Sequence, residues 1–489
     1  MSDISFSNLL GSNSIIDPHD LKKNPDGYIE NYGDFATASR QQINHLAVNG
    51  TDVPAIIAAQ VGGIVGGGIN IQGADSNIEV NTAFETLLKR HNRPRNFSIN
   101  GRYSRNEAFR LAEQFKLQHG GVLIKWHYGS VAGAEIPFTV ELIGIDRIDT
   151  SKNDNKHTKN GLQTDNNGRL THIWLFGSQK STKSTHYSMK DMTYYAGIWI
   201  DLSQYTAVSQ LTTVLSTIAQ KDKYMEAELD SAIDRAKSGV LWSTELYDVI
   251  TDAIKERLKA SGNILEFKTV VDDLAARGVL PNGLTPIPSS DTIHQLENKT
   301  DSVVDTFSTQ TQRSIASATG GSSVSTYKDV GQGNYATIKA AISFDDSQYM
   351  IGFDQLHQGF IEEYLERLYM VGVQIELIPV SRANYFEDRN AYHLWDVLRA
   401  SRRSVDEKND ASARKMNLEV GATTLVREFA DRGRDFKEDM RKQAIADADN
   451  ALMRAEIFAE RGIDDPSLQK EAVDDNQDVE IEEKGDEDE

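Results

Sequence analysis

Residues 211–236 read LTTVLSTIAQKDKYMEAELDSAIDRA, and Leu211, Leu215, Ile218, Met225, Leu229, Ala232 and Ala236 recur at alternating three- and four-residue steps. Only Asp222 interrupts the row. A seam of that period predicts a helix over Val208–Lys237 that packs lengthwise on another helix. Gly239 ends it.

Downstream, residues 240–300 form a small unit. A helix is expected over Ser243–Ser261 and a strand over Ile264–Val270, before the Gly/Pro-rich Gly278–Pro288. Asp301–Ala318 returns to helix, rich in Ser, Thr and Gln. Thr319–Asn334 follows as a polar, flexible loop without structure of its own, and such loops are usually functional or disordered. Tyr335–Met370 is a long helical pattern striped by Ile338, Ile342, Phe353, Leu356, Phe360, Tyr364 and Leu368, with Gly352 and Gly359 as kink points. Val373–Val380 reads as a strand, and Ala422–Glu460 as mostly helix ending at Gly462.

Upstream, residues 1–50 read as an irregular arm leading into a helix near Ser39–Val48. Gly62, Gly63, Gly66, Gly67 and Gly68 suggest a phosphate loop, but no Gly-Lys-Ser/Thr follows and Ile69–Gln72 reads as a strand. A helix-to-strand turn is the simpler reading. Asn106–His119 is an amphipathic helix with Gly120 beyond its end. Val122–Trp126, Pro137–Ile145 and Leu170–Phe176 read as strands, and Asn166-Asn167-Gly168 marks a hairpin after Leu162–Thr164. Residues 50–205 are therefore an α+β domain.

The 489 residues carry 52 Lys and Arg against 73 Asp and Glu, a formal charge of −21. Nearly half of it sits in Glu471–Glu489, whose composition predicts a disordered, solubilising tail. Cysteine is absent, which excludes disulfides and thiolate chemistry and fits a reducing cytoplasm. Met1–Leu10 lacks the basic and apolar regions of a signal peptide. Ala55–Ile71 is the best apolar stretch, but Gln60, Asn70 and its glycines spoil it as a membrane span. No His-Glu-x-x-His and no Gly-x-Ser-x-Gly occurs, and His91, His119 and His127 lack zinc spacing. No catalytic residue, cofactor or metal is expected. The chemistry points to an interaction protein.

The order of segments resembles the lambda-like portal protein family of tailed bacteriophages. Ile64–Gln72 resembles its Val-Val-Gly-x-Gly segment, and Gly101–Trp126 its helix followed by a Gly-Glu-Val-Leu strand, with Gly121 where Glu is usual. Lys159–Arg169 resembles its Gly-Ile-Glu-x-Asp-x-x-Gly-Arg turn. Leu211–Ala236 resembles its first stem helix, around Tyr224, Ala227, Glu228 and Leu229. Asn334–Ala341 resembles its Asn-Tyr-Ser-Ser-x-Arg-x-Ala segment. The family's Gly-Gln-x-Arg-Gly segment has no counterpart in Gly197–Ala207, and 240–300 carries no visible match.

The resemblance implies a portal fold assembled as a ring, usually of twelve subunits, at one capsid vertex. It divides the chain into an arm (1–35), a first wing part (36–207), stem helix one (208–239), clip (240–300), stem helix two (301–318) and tunnel loop (319–334). The long wing helix and the rest of the wing (335–420), crown helices (421–468) and acidic tail (469–489) follow. Double-stranded DNA would pass the channel along Gly320, Gly321, Tyr327, Lys328, Asp329, Gly331, Gly333, Asn334 and Lys339. Leu211, Leu215, Ile218, Met225 and Leu229 would pack the stem. The implied partners are further copies of itself, the major capsid protein, the terminase motor and head-tail connector or adaptor proteins, in the virion and, during assembly, in the host cytoplasm, with no membrane. Acidity suits a conduit, because each phosphate neutralised by Lys or Arg adds adhesion. Two other classes stay open: another head-tail or tail protein of a virion, and a nucleotide-binding enzyme using Gly62–Gly68.

Overall fold

The computed structural model describes residues 32–154, 157–177, 182–197, 205–237, 240–244, 252, 284–288, 300–331, 333–399, 407–431 and 436–461. Helices α1 (Tyr32–Asn49) and α2 (Asp52–Ile64) lead through the glycine turn into β1 (Ile69–Gly73). Gly66 and Gly68 take positive φ there, so the cluster is a helix-to-strand turn. Helices α3 (Ile78–His91), α4 (Pro94–Phe97) and α5 (Arg105–His119) follow. The α5 start is fixed by a capping box between Ser104 and Glu107, and its end by Gly120 at φ 90°.

Strands β2 (Gly121–Tyr128), β3 (Phe138–Gly144), β4 (Thr158–Lys159), β5 (Leu162–Thr164), β6 (Leu170–Phe176), β7 (Ser184–Ser188) and β8 (Met192–Ala196) build two antiparallel sheets. Their orders are β3-β2-β8 and β4-β5-β6-β7. The expected β5–β6 hairpin is present.

The long seam begins as a 3₁₀ turn over Gln210–Val214 and becomes helix α6 only at Leu215–Lys237. Ser209 accounts for the delay: its hydroxyl caps the turn at Leu211 N and donates to the Leu117 carbonyl, which ties the entry to α5. Strands β9 (Val240–Thr244) and β10 (Leu284–Pro288) pair in parallel. Ser243, expected at a helix start, belongs to β9. The remainder of that helix (Asp252, a single described helical residue, excepted) and Ile264–Val270 lie outside the described residues.

Helix α7 (Thr300–Ala318) is followed by the short α8 (Ser323–Tyr327), then α9 (Tyr335–Leu356), a π-helical turn (His357–Ile361) and α10 (Glu362–Gln374). The irregularity of the long helix is therefore the π-turn that contains Gly359, whose Cα faces the Tyr195 ring so closely that a Cβ would stand 2.7 Å from it. Val373–Val380 is not a strand. Val373 stays on the buried face of α10, and the chain reverses at Glu376, φ 60°, so that Leu377 and Ile378 N–H both donate to Gly372 O. Helix α11 (Arg382–Glu387) precedes β11 (Trp395–Arg399), which pairs antiparallel with β1. Helices α12 (Glu407–Glu419), α13 (Leu425–Asp431) and α14 (Phe436–Arg461) close the described chain.

Among the described residues, three apolar clusters hold this α+β arrangement. The largest joins α3, α5, β2, β3, α9 and α10 around Phe84, Phe109, Trp126, Phe138, Phe360 and Tyr364. A second gathers Ile43, Val53, Ile56, Leu117, Leu211, Leu215, Ile218 and Ile315. The third lies under the inward face of the four-stranded sheet, around Leu162, Ile173 and Leu175.

Candidate functional site

The candidate segment starts where α7 stops. The Thr319 hydroxyl donates to the carbonyls of Ile315 and Ala316 at 3.0 Å, and Gly321 N–H reaches back to Ala316 O at 2.9 Å. Gly320, at φ 79°, makes the left-handed reversal that this closure needs. Gln60 Nε2 on α2 then donates to Thr319 O at 2.7 Å. Ser322 is held from the other side: its N–H and Oγ donate to the two carboxylate oxygens of Asp345 on α9, at 2.7 and 2.6 Å. Ser322 in turn caps α8, and Lys328 ends it at φ 59°.

The expectation of a structureless loop over 319–334 is thus corrected for its first half. Thr319, Gly321 and Thr326 are buried: Thr319 is answered by α2 and α7, Gly321 N–H donates to α7, and Thr326 N–H donates to Ser322 O. Asp345 was the missed signal. It occupies the i, i+4 row of Tyr349 and Phe353, where an apolar residue belongs, so its carboxylate has to answer a buried donor.

Beneath α8 lies a buried ion pair. Lys221 Nζ on α6 meets both carboxylate oxygens of Asp52 on α2 at 2.7 and 2.8 Å. The Tyr327 ring sits 5.9 Å from that ammonium. Burial, then the Asp52 charge, push the Tyr327 phenol well above the usual tyrosine range. Burial and Asp52 also raise the Asp222 carboxyl. The sequence marks Asp222 as the break in the seam, yet Lys221 is the charge the fold buries.

The second half of the segment is open. Lys328, Val330, Gly331, Gly333, Asn334 and Lys339 are exposed, and Asp329 is half-exposed. Asn334 caps α9 by accepting from Thr337 N–H at 2.9 Å. The structure therefore brings Gly320, Gly321 and Tyr327 into a packed corner and leaves Lys328, Val330, Gly331, Gly333 and Asn334 exposed between α8 and α9, with Lys339 exposed on the first turns of α9. The seam divides likewise. Leu211, Leu215 and Ile218 are buried within the chain, whereas Met225 and Leu229 are exposed. Tyr224 on α6 lies against Phe307 on α7, ring centroids 4.4 Å apart.

A cleft of about 360 Å³ adjoins Gly320, lined by Gln60, Lys116, Gln210, Gln348 and Gln355 among others. At its floor Lys116 Nζ donates to Glu113 at 3.0 Å and to the Tyr195 hydroxyl at 2.8 Å. These bonds join α5 to β8, and Lys116 Nζ also pairs with Glu113 Oε2 at 2.8 Å, so the buried ammonium is answered within the chain. In the glycine turn, Arg110 Nη2 donates to Gly66 O at 3.0 Å, so a guanidinium already braces that turn from within the chain. Among the described residues no three His, Cys, Asp or Glu side chains converge as a metal set, and no helix is long and apolar enough to cross a membrane.

The chain is similar to several solved particles. It shares 11% identity with a chain in the neck of a native gene transfer agent particle computed with C12 symmetry, covering 82% of this chain and 97% of that one at a TM-score of 0.39. The neck of the empty particle, computed with C6 symmetry, gives 11% identity, coverages of 81% and 94%, and a TM-score of 0.38. The virion of the native particle gives 11%, 82%, 98% and 0.39. No curated protein matches significantly. The family model for phage portal proteins of the lambda family matches residues 24–351, well over half of the sequence. The helical seam, the anchored corner and the long bent helix fall within or begin inside that span, and the chain belongs to the lambda family of phage portal proteins.

Proposed function

We propose that the chain closes into a ring, of twelve subunits in the usual stoichiometry of the family, at one vertex of a capsid. Double-stranded DNA would pass through its bore during packaging and ejection. In this reading α6 and α7 form the stem, and residues 240–300 form the clip that meets the terminase motor and then the connector proteins. Residues 36–207 and 335–420 form the wing beside the major capsid protein, and 421–468 the crown. The work is mechanical rather than enzymatic.

The observation that carries the ring is the division of the α6 seam. Met225 and Leu229 keep the spacing of the buried residues, yet a single chain leaves them exposed, Leu229 at 60%. An apolar row continuing out of a core supports burial by a neighbouring copy. The charge supports a sliding duplex, since a −21 chain multiplied around a ring opposes adhesion to phosphates. Lys328 and Lys339 are both exposed, and a local positive ring of them would steer the duplex.

Negative-stain imaging of the purified chain tests the proposal. Rings with a central hole are expected. A chain that stays monomeric at every concentration would overturn it.

A further inference from the structure

The outer face of the four-stranded sheet carries a pair of histidines that the portal reading does not use. Strand β6 alternates cleanly: Ile173 and Leu175 point into the third core, and His172 and Trp174 point away from it. On β7, His186 lies opposite Trp174 and diagonal to His172, on the same outer face. The His172 and His186 rings stack with centroids 4.5 Å apart and planes within 17°. Trp174 lies 4.6 Å from His186. Opposite His172 on β5 stands Gln163, whose Oε1 accepts from His186 Nε2 at 2.8 Å.

We propose that His172 and His186 form a binding site for a borderline divalent transition-metal ion, of the Zn²⁺ or Ni²⁺ class. The donor set argues for that class, because neutral imidazole suits zinc, copper and nickel and does not suit calcium or magnesium. The tautomers are prepared for it. Gln163 holds the His186 proton on Nε2, which leaves Nδ1 with its lone pair. Thr171 Oγ1 engages His172 Nδ1 at 3.2 Å, which leaves Nε2 as the nitrogen available for ligation. Such outer-shell bonds orient the imidazoles of metal sites. Ligation needs each nitrogen about 2.0–2.1 Å from the ion. His186 is exposed and His172 half-exposed, so the proposed site requires their stacked rings, centroids 4.5 Å apart, to turn about their side-chain bonds until both nitrogens face one ion. Water completes the coordination sphere. Lys152, 5.5 Å from the Trp174 ring, is the nearby positive charge that tempers affinity. A bound ion would fasten β6 to β7 and, through Gln163, to β5.

Trp174 makes the test direct, since a paramagnetic ion beside an indole quenches its fluorescence. The full chain, stripped with a chelator, is titrated with Ni²⁺ alone and followed by calorimetry and by tryptophan emission. One saturable ion per chain, reversed by chelator, is expected. Losing an outer-shell partner costs about 10–100-fold in affinity, so His172→Ala and His186→Ala should each cost at least that, and Gln163→Ala about tenfold. Trp174→Phe should keep the calorimetric binding and lose that part of the quenching. Melting curves of the two histidine variants should match the unaltered metal-free chain, as expected for side chains outside the core. Unchanged affinity in either histidine variant, or no saturable heat below millimolar Ni²⁺, would overturn the proposal.

Discussion

The Asp52–Lys221 pair is the sharpest single test of how the stem is fixed to the rest of the chain. Both side chains are more than nine-tenths buried, and both carboxylate oxygens are engaged at 2.7–2.8 Å. Solvent screening is therefore small. Lys221→Met keeps the aliphatic stem and removes the ammonium, leaving the Asp52 charge enclosed beside Asp222. Breaking one side of a buried pair costs about 3–5 kcal/mol. Asp52→Ala leaves the ammonium enclosed instead and should cost a similar amount. Replacing both ends removes both desolvation penalties, so Asp52→Ala with Lys221→Met should cost well under the sum of the singles. The difference is a coupling of roughly 2 kcal/mol. Urea unfolding of the purified chain measures it, as a lowered midpoint at unchanged slope. Single variants within about 0.5 kcal/mol of the unaltered chain, or a double variant equal to the sum, would refute the reasoning. The pair would then be a surface contact in effect, and α6 would be held by its apolar residues alone.

Four further outcomes follow from the geometry. His91 is fully buried against Tyr364 and Phe138 O, and burial holds its imidazole down at about 4 against 6.5 unfolded. Its contribution is complete above about pH 6.5 and falls by up to ~3 kcal/mol as the pH drops toward 4; a His91→Gln chain should lose that slope in urea titrations at several pH values. Gly120→Ala places a Cβ at φ 90° and 2.7 Å from Ala207 O, and calorimetric melting should show a loss of about 1–3 kcal/mol. Leu229→Asp should leave the monomer folded and abolish rings in sedimentation, whereas Leu215→Asp, in the core, should unfold the chain itself; rings surviving Leu229→Asp would remove α6 from the interface. Lys328→Glu should preserve ring assembly and weaken DNA retention in filled heads, with leakage at two salt concentrations as the readout.

What the sequence made legible depended on whether a residue's partner was local. Gly120 and the Asn166–Gly168 hairpin are set by neighbours within a few residues, and each stands where its pattern placed it, whereas the Leu211–Ile218 seam packs on distant Ile43, Val53, Ile56 and Ile315 and turns α-helical only from Leu215. Trp395–Arg399 was invisible as a strand because its partner is β1, more than three hundred residues upstream, and only Arg399 hints at the bond it makes to Asp346. Val373–Leu377 alternates apolar and polar residues with a period of two, the strand signature. The local pattern lost to a tertiary one, since Val373 already sits on the buried face of a helix that the pattern of Phe360, Tyr364 and Leu368 had started. Thr319–Thr326 misled for a different reason. Composition cannot distinguish a polar segment bathed in water from one whose hydroxyls, here those of Thr319 and Ser322, are answered inside the fold.

That distinction decides what a channel loop in this chain could do. If the proposed bore assignment holds, the part free to follow a duplex is not the whole of 319–334. Residues 319–327 are tied to α2 through Gln60, to α9 through Asp345, and lie over the Lys221–Asp52 pair. Lys328 ends that rigid corner in a left-handed conformation, and Asn334 restarts helix with its cap. Between these two fixed points the described residues, 329–331 and 333, are exposed or half-exposed, and the stretch fully extended would span at most about 23 Å. A push on this stretch would therefore pass into α9 by way of Asn334 and into the corner by way of Lys328. The corner can move only together with the helices it is bonded to. A variant that loosens the corner, Asp345→Ala, should consequently alter DNA retention even though Asp345 is buried away from any duplex. A variant confined to this stretch, Val330→Ser, should leave the helices' hydrogen-exchange protection unchanged.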